Sequence, residues 1–93
     1  MDLKFTWGGD KNAINIKKHG ISFEDAAIIF SDPNHLEIYD GRHSTSEIRW
    51  KKIGLSGCEV LSVIFTEKDD IVRIISARKA DKKEEKEYFD GYS

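Results

Sequence analysis

The chain reads as an α+β fold, an antiparallel β-sheet with two N-terminal helices on one face and a C-terminal helix, on three observations. Capped helical patterns fill residues 10–31, the apolar period switches to two after residue 33, and the closing segment is helical in pattern but almost wholly charged. With 93 residues the chain can bury roughly 60–65% of its unfolded surface, which allows one modest core, so residues 1–93 are expected to form a single domain.

The elements follow in order. Leu3, Phe5 and Trp7 alternate with Lys4 and Thr6, the mark of a short strand. Gly8 and Gly9 break it, and Asp10 is a ready N-cap for a helix that runs to Lys18 or His19 and ends at Gly20. Ser22 opens a second helix with Asp25 at the third position of an imperfect capping box. That helix turns Phe23, Ala26, Ala27, Ile29 and Phe30 inward and stops before Asp32 and Pro33. A strand is predicted over 35–39, a loop over 40–46, and three strands over 47–55, 59–67 and 70–77. Their connections are so short that they must be antiparallel hairpins. The last helix spans about 80–89, with 91–93 as a frayed end.

Two-residue turns at Ser56 and Gly57 and at Lys68 and Asp69 would set the register. Leu55 then faces Cys58, Trp50 faces Val63, Ile48 faces Phe65 and Arg49 faces Ile64, while on the next strand Phe65 faces Val72, Val63 faces Ile74 and Ile64 faces Arg73. One sheet face becomes a core of Ile48, Trp50, Leu61, Val63, Phe65, Val72 and Ile74. The other carries Arg49 and Arg73 in one row across Ile64, with Glu47 and Lys51 nearby. Two guanidiniums about 10 Å apart at two strand spacings can grip successive phosphates. Equally, Arg49 can pair with Glu47 and Arg73 with a nearby acid and merely solvate the sheet. Ser76 and Arg78 fall on the core-facing parity at the sheet's end, where Arg78 can reach round the edge and Ser76 can cap the last helix.

Charge excludes bulk attraction to nucleic acid, since the net is −2. Its distribution is uneven. Residues 11–20 hold Lys11, Lys17 and Lys18 without an acid, and residues 41–57 hold Arg42, Arg49, Lys51 and Lys52 against Glu47 alone. The last helix balances five basic and five acidic residues from Arg78 to Asp90, so it is not a basic arm and must bridge solvent, pack weakly through Tyr88 and Phe89, or meet a partner. His19 at a helix end is a candidate acid–base group or a plain helix terminator. His35 and His43 read as strand-start and loop residues. The three histidines and the single cysteine, Cys58, match no metal-ligand spacing, and Cys58 reads as a half-buried strand residue after a turn. No metal or other cofactor is expected. No apolar run approaches a membrane span, and MDLKFTW lacks the basic start and apolar run of a signal peptide, so a cytoplasmic protein with no membrane partner is expected.

Several stretches together resemble the BrnT family, RelE-like ribonuclease toxins of type II toxin–antitoxin systems. They are FTW followed by DKN, then IKKHGISFEDA, DP after the second helix, RHSTSEIRW, VIFTE, VRIISARKA and a closing E--EY, in order over residues 5–88. The resemblance implies a RelE-like α/β domain and a metal-independent endoribonuclease that inhibits translation and growth. It also implies a cognate BrnA-like ribbon-helix-helix antitoxin that forms a hetero-oligomer with the toxin, neutralises it, and carries the complex to operator DNA for autoregulation. The matching polar positions are Lys18, His19, Glu47, Arg49, Ser76 and Arg78, with Arg73 more loosely. We therefore expect Arg49, Arg78, His19 and Glu47 to be catalytic, and Arg73, Lys18, Lys51 and Ser76 to bind substrate. A module that holds the antitoxin and assists repression with little or no catalysis is the alternative expectation.

Overall fold

A computed structural model describes residues 3–91, apart from the side chain of His43. The chain runs through β1 (Lys4–Thr6), α1 (Gly9–His19), α2 (Phe23–Ile28), a 3-10 turn (Ile29–Ser31), β2 (Leu36–Tyr39), a second 3-10 turn (Gly41–His43), β3 (Trp50–Ser56), β4 (Glu59–Lys68), β5 (Ile71–Lys79) and α3 (Lys82–Asp90). This is the α+β fold that the periodicities predict, with α1 and α2 on one sheet face and α3 on the other. The sheet is mixed, in the order β1-β5-β4-β3-β2. Strands β2 to β5 are antiparallel, and β1 joins β5 in parallel with Phe5 beside Val72. The local pattern of Leu3 to Trp7 announces a strand but carries no information about a neighbour more than sixty residues away. Of the expected frayed end, Tyr92 and Ser93 lie outside the described residues.

Both turns sit one residue later than expected. Gly57 and Cys58 form the first, with positive φ at Gly57, and Asp69 and Asp70 form the second, both with positive φ. Aspartate tolerates this left-handed geometry better than most side chains, and such turns match the twist of hairpin strands. Each pairing therefore slides by two residues: Trp50 faces Phe65, Leu55 faces Val60, and Glu67 faces Val72. A slip of two keeps every side chain on its face, so Leu61, Val63, Phe65, Val72 and Ile74 are still buried. Ile48 is the exception; it precedes β3 in the loop and is 62% exposed. Cys58 is exposed in the turn rather than half-buried in a strand.

The main core lies between the sheet and α2. Phe23, Ala26 and Ile29 meet Leu61, Val63, Phe65, Val72, Ile74 and Ala77, each large side chain contributing about 1.5–3 kcal/mol by leaving water. Close approach is possible because Gly54 has no side chain: a Cβ there would lie 2.9 Å from Ile29 Cβ. A smaller cluster on the other face joins Leu36, Ile53 and Val60 to Tyr88 of α3.

The helix ends are built locally. Gly8, not Asp10, is the N-cap of α1, which leaves Asp10 in the first turn, where its charge opposes the helix dipole's positive end. Gly20 closes α1 in a left-handed conformation, its N–H donating to the Ile16 carbonyl. The Ser22 hydroxyl accepts from the Asp25 amide, as expected. Asp81 rather than Ser76 caps α3, in a full capping box with Glu84.

Candidate functional site

Three local features shape one groove on the sheet face opposite α1 and α2. The first is a bulge in β5. Phe65 pairs with Ile74, but the preceding residue of β4, Ile64, pairs with Ser76, so Ile75 is an extra residue. Beyond it the parity inverts: Ala77 turns into the core opposite Val63, while Ser76 and Arg78 pair with Ile64 and Ser62 on the open face. The expectation that Ser76 and Arg78 keep core-facing parity is thus corrected; Arg78 stands directly on the groove face and need not reach round an edge.

The second feature is Asn15. Because β1 pairs with β5 only up to Arg73, the outer edge of β5 is open at Ala77, and the buried Asn15 amide fills it. Its Nδ2 donates to the Ala77 carbonyl (2.8 Å) and the Ile21 carbonyl (2.8 Å), and its Oδ1 accepts from the Ala77 amide (3.1 Å). This fastens the end of α1, with Lys18 and His19, beside Ser76 and Arg78.

The third is Ser44, whose Oγ donates to the Asp40 carbonyl (2.6 Å) and accepts from the Arg49 amide (2.8 Å). The loop between β2 and β3 is pinched at its base, and Arg49 is delivered to the head of β3.

The resulting groove, about 630 Å³, is lined by Lys18, His19, Arg49, Lys51, Ser76 and Arg78, over an apolar floor of Ile38, Ile64 and Ile75. Arg42 and Asp40 stand at its rim, so five cationic side chains meet one acid in a chain whose net charge is −2. The row across Ile64 is Lys51, Ile64, Ser76, not Arg49, Ile64, Arg73, because Arg49 lies ahead of β3 and Arg73 pairs with Thr66. Arg73 and Glu47 do not line the groove. Arg73 Nη2 donates to Glu47 Oε1, which also lies 3.5 Å from Arg49 Nη2, beside a neighbouring hollow with Ile48 and Ile71. The hydrogen bond from Arg73, then the charges of both guanidiniums, hold the Glu47 carboxyl below the usual carboxylate range against its partial desolvation. Arg49 keeps its Nε buried without a hydrogen-bond partner among the described residues.

Sequence reasoning missed the acid behind the groove. Glu84 projects from α3 with its side chain only 5% exposed. It receives Arg78 Nη1 at 2.7 Å and Nη2 at 3.1 Å, Lys51 Nζ at 2.9 Å, Ser62 Oγ at 3.1 Å and the Asp81 amide at 3.0 Å. Burial alone would raise its pKa, but Arg78, the Asp81 amide and Lys51 outweigh that and draw it down to about 2. The same hydrogen bond raises the Arg78 pKa above its ordinary value, against desolvation. The Asp81-to-Glu84 spacing is a capping-box signature and was the available signal; nothing in it indicates that the carboxylate also collects two groove cations. Elsewhere Asp32 accepts from the Tyr88 hydroxyl and the Leu55 and Asn34 amides. Burial opposes ionisation there, yet these donors lower the Asp32 pKa, while burial and Asp32 push the Tyr88 phenol up to about 12.

No three His, Cys, Asp or Glu side chains among the described residues converge as metal ligands. No described helix is long and apolar enough to cross a membrane. Chemically the groove gathers planar guanidiniums and ammoniums, groups suited to phosphate oxygens, around an apolar floor with the His19 imidazole at the side.

A search of curated proteins finds no match to the chain. The family model described as "Ribonuclease toxin, BrnT, of type II toxin-antitoxin system" matches residues 7–84, a stretch that holds every groove residue named above and ends on Glu84. The chain therefore belongs to the BrnT family of ribonuclease toxins of type II toxin–antitoxin systems.

Proposed function

We propose that this chain is an endoribonuclease that cleaves RNA by attack of the substrate's own 2′-hydroxyl on the adjacent phosphate, arresting translation and growth until a BrnA-like ribbon-helix-helix antitoxin binds it. The single observation that carries the reading is the convergence of Arg49, Lys51, Arg78, Lys18 and His19 on one open groove in an otherwise acidic chain. In-line attack develops negative charge on the phosphorane oxygens, and preorganised cations are the groups that stabilise it. Arg49 and Arg78 serve there with the Lys51 ammonium beside Arg78, Lys18 holds a flanking phosphate, and Ser76 donates a hydrogen bond. His19 takes the 2′-hydroxyl proton; the 5′-oxygen leaves with a proton from the protonated imidazole or water, giving a 2′,3′-cyclic phosphate and a 5′-hydroxyl. Glu47, held as an ionised partner of two arginines, serves to orient Arg49 and Arg73 rather than to move protons.

Arg49→Ala combined with Arg78→Ala should abolish cleavage of a short RNA and growth arrest while leaving antitoxin binding intact. Absence of cyclic-phosphate product from wild-type protein across RNA sequences, with and without ribosomes, refutes the reading. A second reading, an antitoxin-holding co-repressor with weak or lost catalysis, draws on one observation: Arg78 and Lys51 are already paired with Glu84. In that case the double variant binds antitoxin and represses as wild type does, and neither protein cleaves. Operator DNA is contacted only through the antitoxin in both readings.

A further inference from the structure

The donors that Glu84 leaves free are as informative as those it takes. A guanidinium carries five N–H groups arranged as two usable forks, one between the two Nη atoms and one between Nε and a single Nη. On Arg78, Nη1 donates to Glu84 Oε1 and to the Lys79 carbonyl, and Nη2 donates to Glu84 Oε2. The Nη1–Nη2 fork is fully committed. Among the described residues the Nε–H and the second Nη2 proton have no acceptor, and the side chain is 42% exposed where it lines the groove. Lys51 is held the same way: one donor goes to Glu84, and the remaining ammonium protons are available on the groove face.

Glu84 is itself held at both oxygens. Its two oxygens also receive the Ser62 hydroxyl and the Asp81 amide, one from the sheet floor and one from the start of α3. A carboxylate tied to a strand and a helix cap fixes the plane of any guanidinium bound to it.

Resting on the ribonuclease reading of the same groove, we propose that Glu84 is the positioning residue of the site: it binds one fork of Arg78 and one donor of Lys51, so that the free Nε–Nη2 fork and the ammonium converge on a single substrate phosphate. It does not touch the substrate. The geometry also gives the highly charged α3 a function, because the helix brings the acid that orients the cations. Preorganisation of this kind acts on the reaction rate more than on affinity, since the flexible side chains would otherwise be ordered only in the transition state.

The test compares wild-type protein with Glu84→Gln, both checked for folding by circular dichroism at pH 7 well below their melting temperatures. Single-turnover cleavage of a short fluorescent RNA should slow by about 10- to 100-fold in the variant, while the Kd for the same oligonucleotide in 2′-O-methyl form changes less than about threefold. The Arg78 Nε–Hε correlation in a nitrogen-15 NMR spectrum, distinct in wild type, should collapse toward the position of a free arginine. A folded variant with an unchanged rate and an unchanged Arg78 signal reduces Glu84 to a support for α3 and overturns the proposal. A faster, tighter-binding variant makes Glu84 a mask and overturns it too. If neither protein cleaves RNA, the ribonuclease reading fails and the Arg78 signal alone decides: its loss in Glu84→Gln supports the positioning role, its persistence refutes it. Should Glu84→Gln fail to fold, Glu84→Asp keeps the charge, withdraws the carboxylate by one methylene, and is expected to give the same losses.

Discussion

Replacing Glu84 by Gln should remove a defined part of the acid stability of this domain. The folded-state pKa of about 2 lies well below the ordinary 4.5. At about 1.4 kcal/mol per decade, that gap corresponds to roughly 3 kcal/mol between the ionised and protonated forms. The Arg78 and Lys51 side chains remain 42% and 27% exposed, so solvent screens part of the interaction and about 2 kcal/mol is the expected contribution. Because the folded pKa is depressed, the contribution is complete above about pH 5 and disappears as pH falls from there through about 2. Gln resembles the protonated acid. In thermal melts at pH 6 the variant should therefore melt about 8–16 °C below wild type for a domain of this size, and the two curves should approach each other within a few degrees near pH 2. A melting difference that stays constant from pH 6 to pH 2 would refute the assignment of Glu84 as a titrating, ion-paired carboxylate.

Asn15→Ala leaves the Ala77 amide and carbonyl without their partner at an open strand edge and should cost about 2–4 kcal/mol in urea unfolding, with faster amide exchange at Ala77. Gly54→Ala drives a methyl into Ile29 and should destabilise by about 1–3 kcal/mol, read by the same unfolding curves. Tyr88 should titrate by ultraviolet absorbance near pH 12. Its raised pKa means that the stability it contributes holds below about pH 10 and is lost as pH rises through about 12. Tyr88→Phe should remove that alkaline transition and cost about 1 kcal/mol at pH 7.

How far the sequence could be read depended on which errors the physics forgives. Both hairpin turns lie one residue later than the sequence suggests, and each shifts a register by two, which leaves faces unchanged; the set from Leu61 to Ile74 is buried for that reason. A one-residue error would have exchanged core and solvent. That error did occur, at Ile75, where a single extra residue inverts the parity of everything after it. No local composition marks the bulge: Ile74, Ile75 and Ser76 read as an uninterrupted strand. Only the preference of Ala77 for the core and of Asn15 for its backbone groups separates the two alternatives, and both are tertiary contacts. The row expected from Arg49 to Arg73 failed because Ser44 ends β3 at Trp50 and turns Arg49 into a loop terminus. Arg49 reached the groove by a different route from the one its strand parity suggested.

The closing helix shows why counting apolar residues misjudges a surface. By hydropathy α3 has almost nothing to bury, yet it holds Glu84, a residue only 4% exposed, together with Tyr88 at 8%. A charged side chain can leave water only when its partners satisfy both oxygens, and here Arg78, Lys51, Ser62 and the Asp81 amide do so. Three of those partners, Arg78, Lys51 and Ser62, line the groove, so the docking of α3 and the order of the groove cations are one equilibrium. Loss of α3 from the sheet would release Arg78 and Lys51 together. The charge balance from Arg78 to Asp90 is therefore compatible with a cationic groove: Glu84, an acid of this helix, holds Arg78 and Lys51 in place on the sheet face.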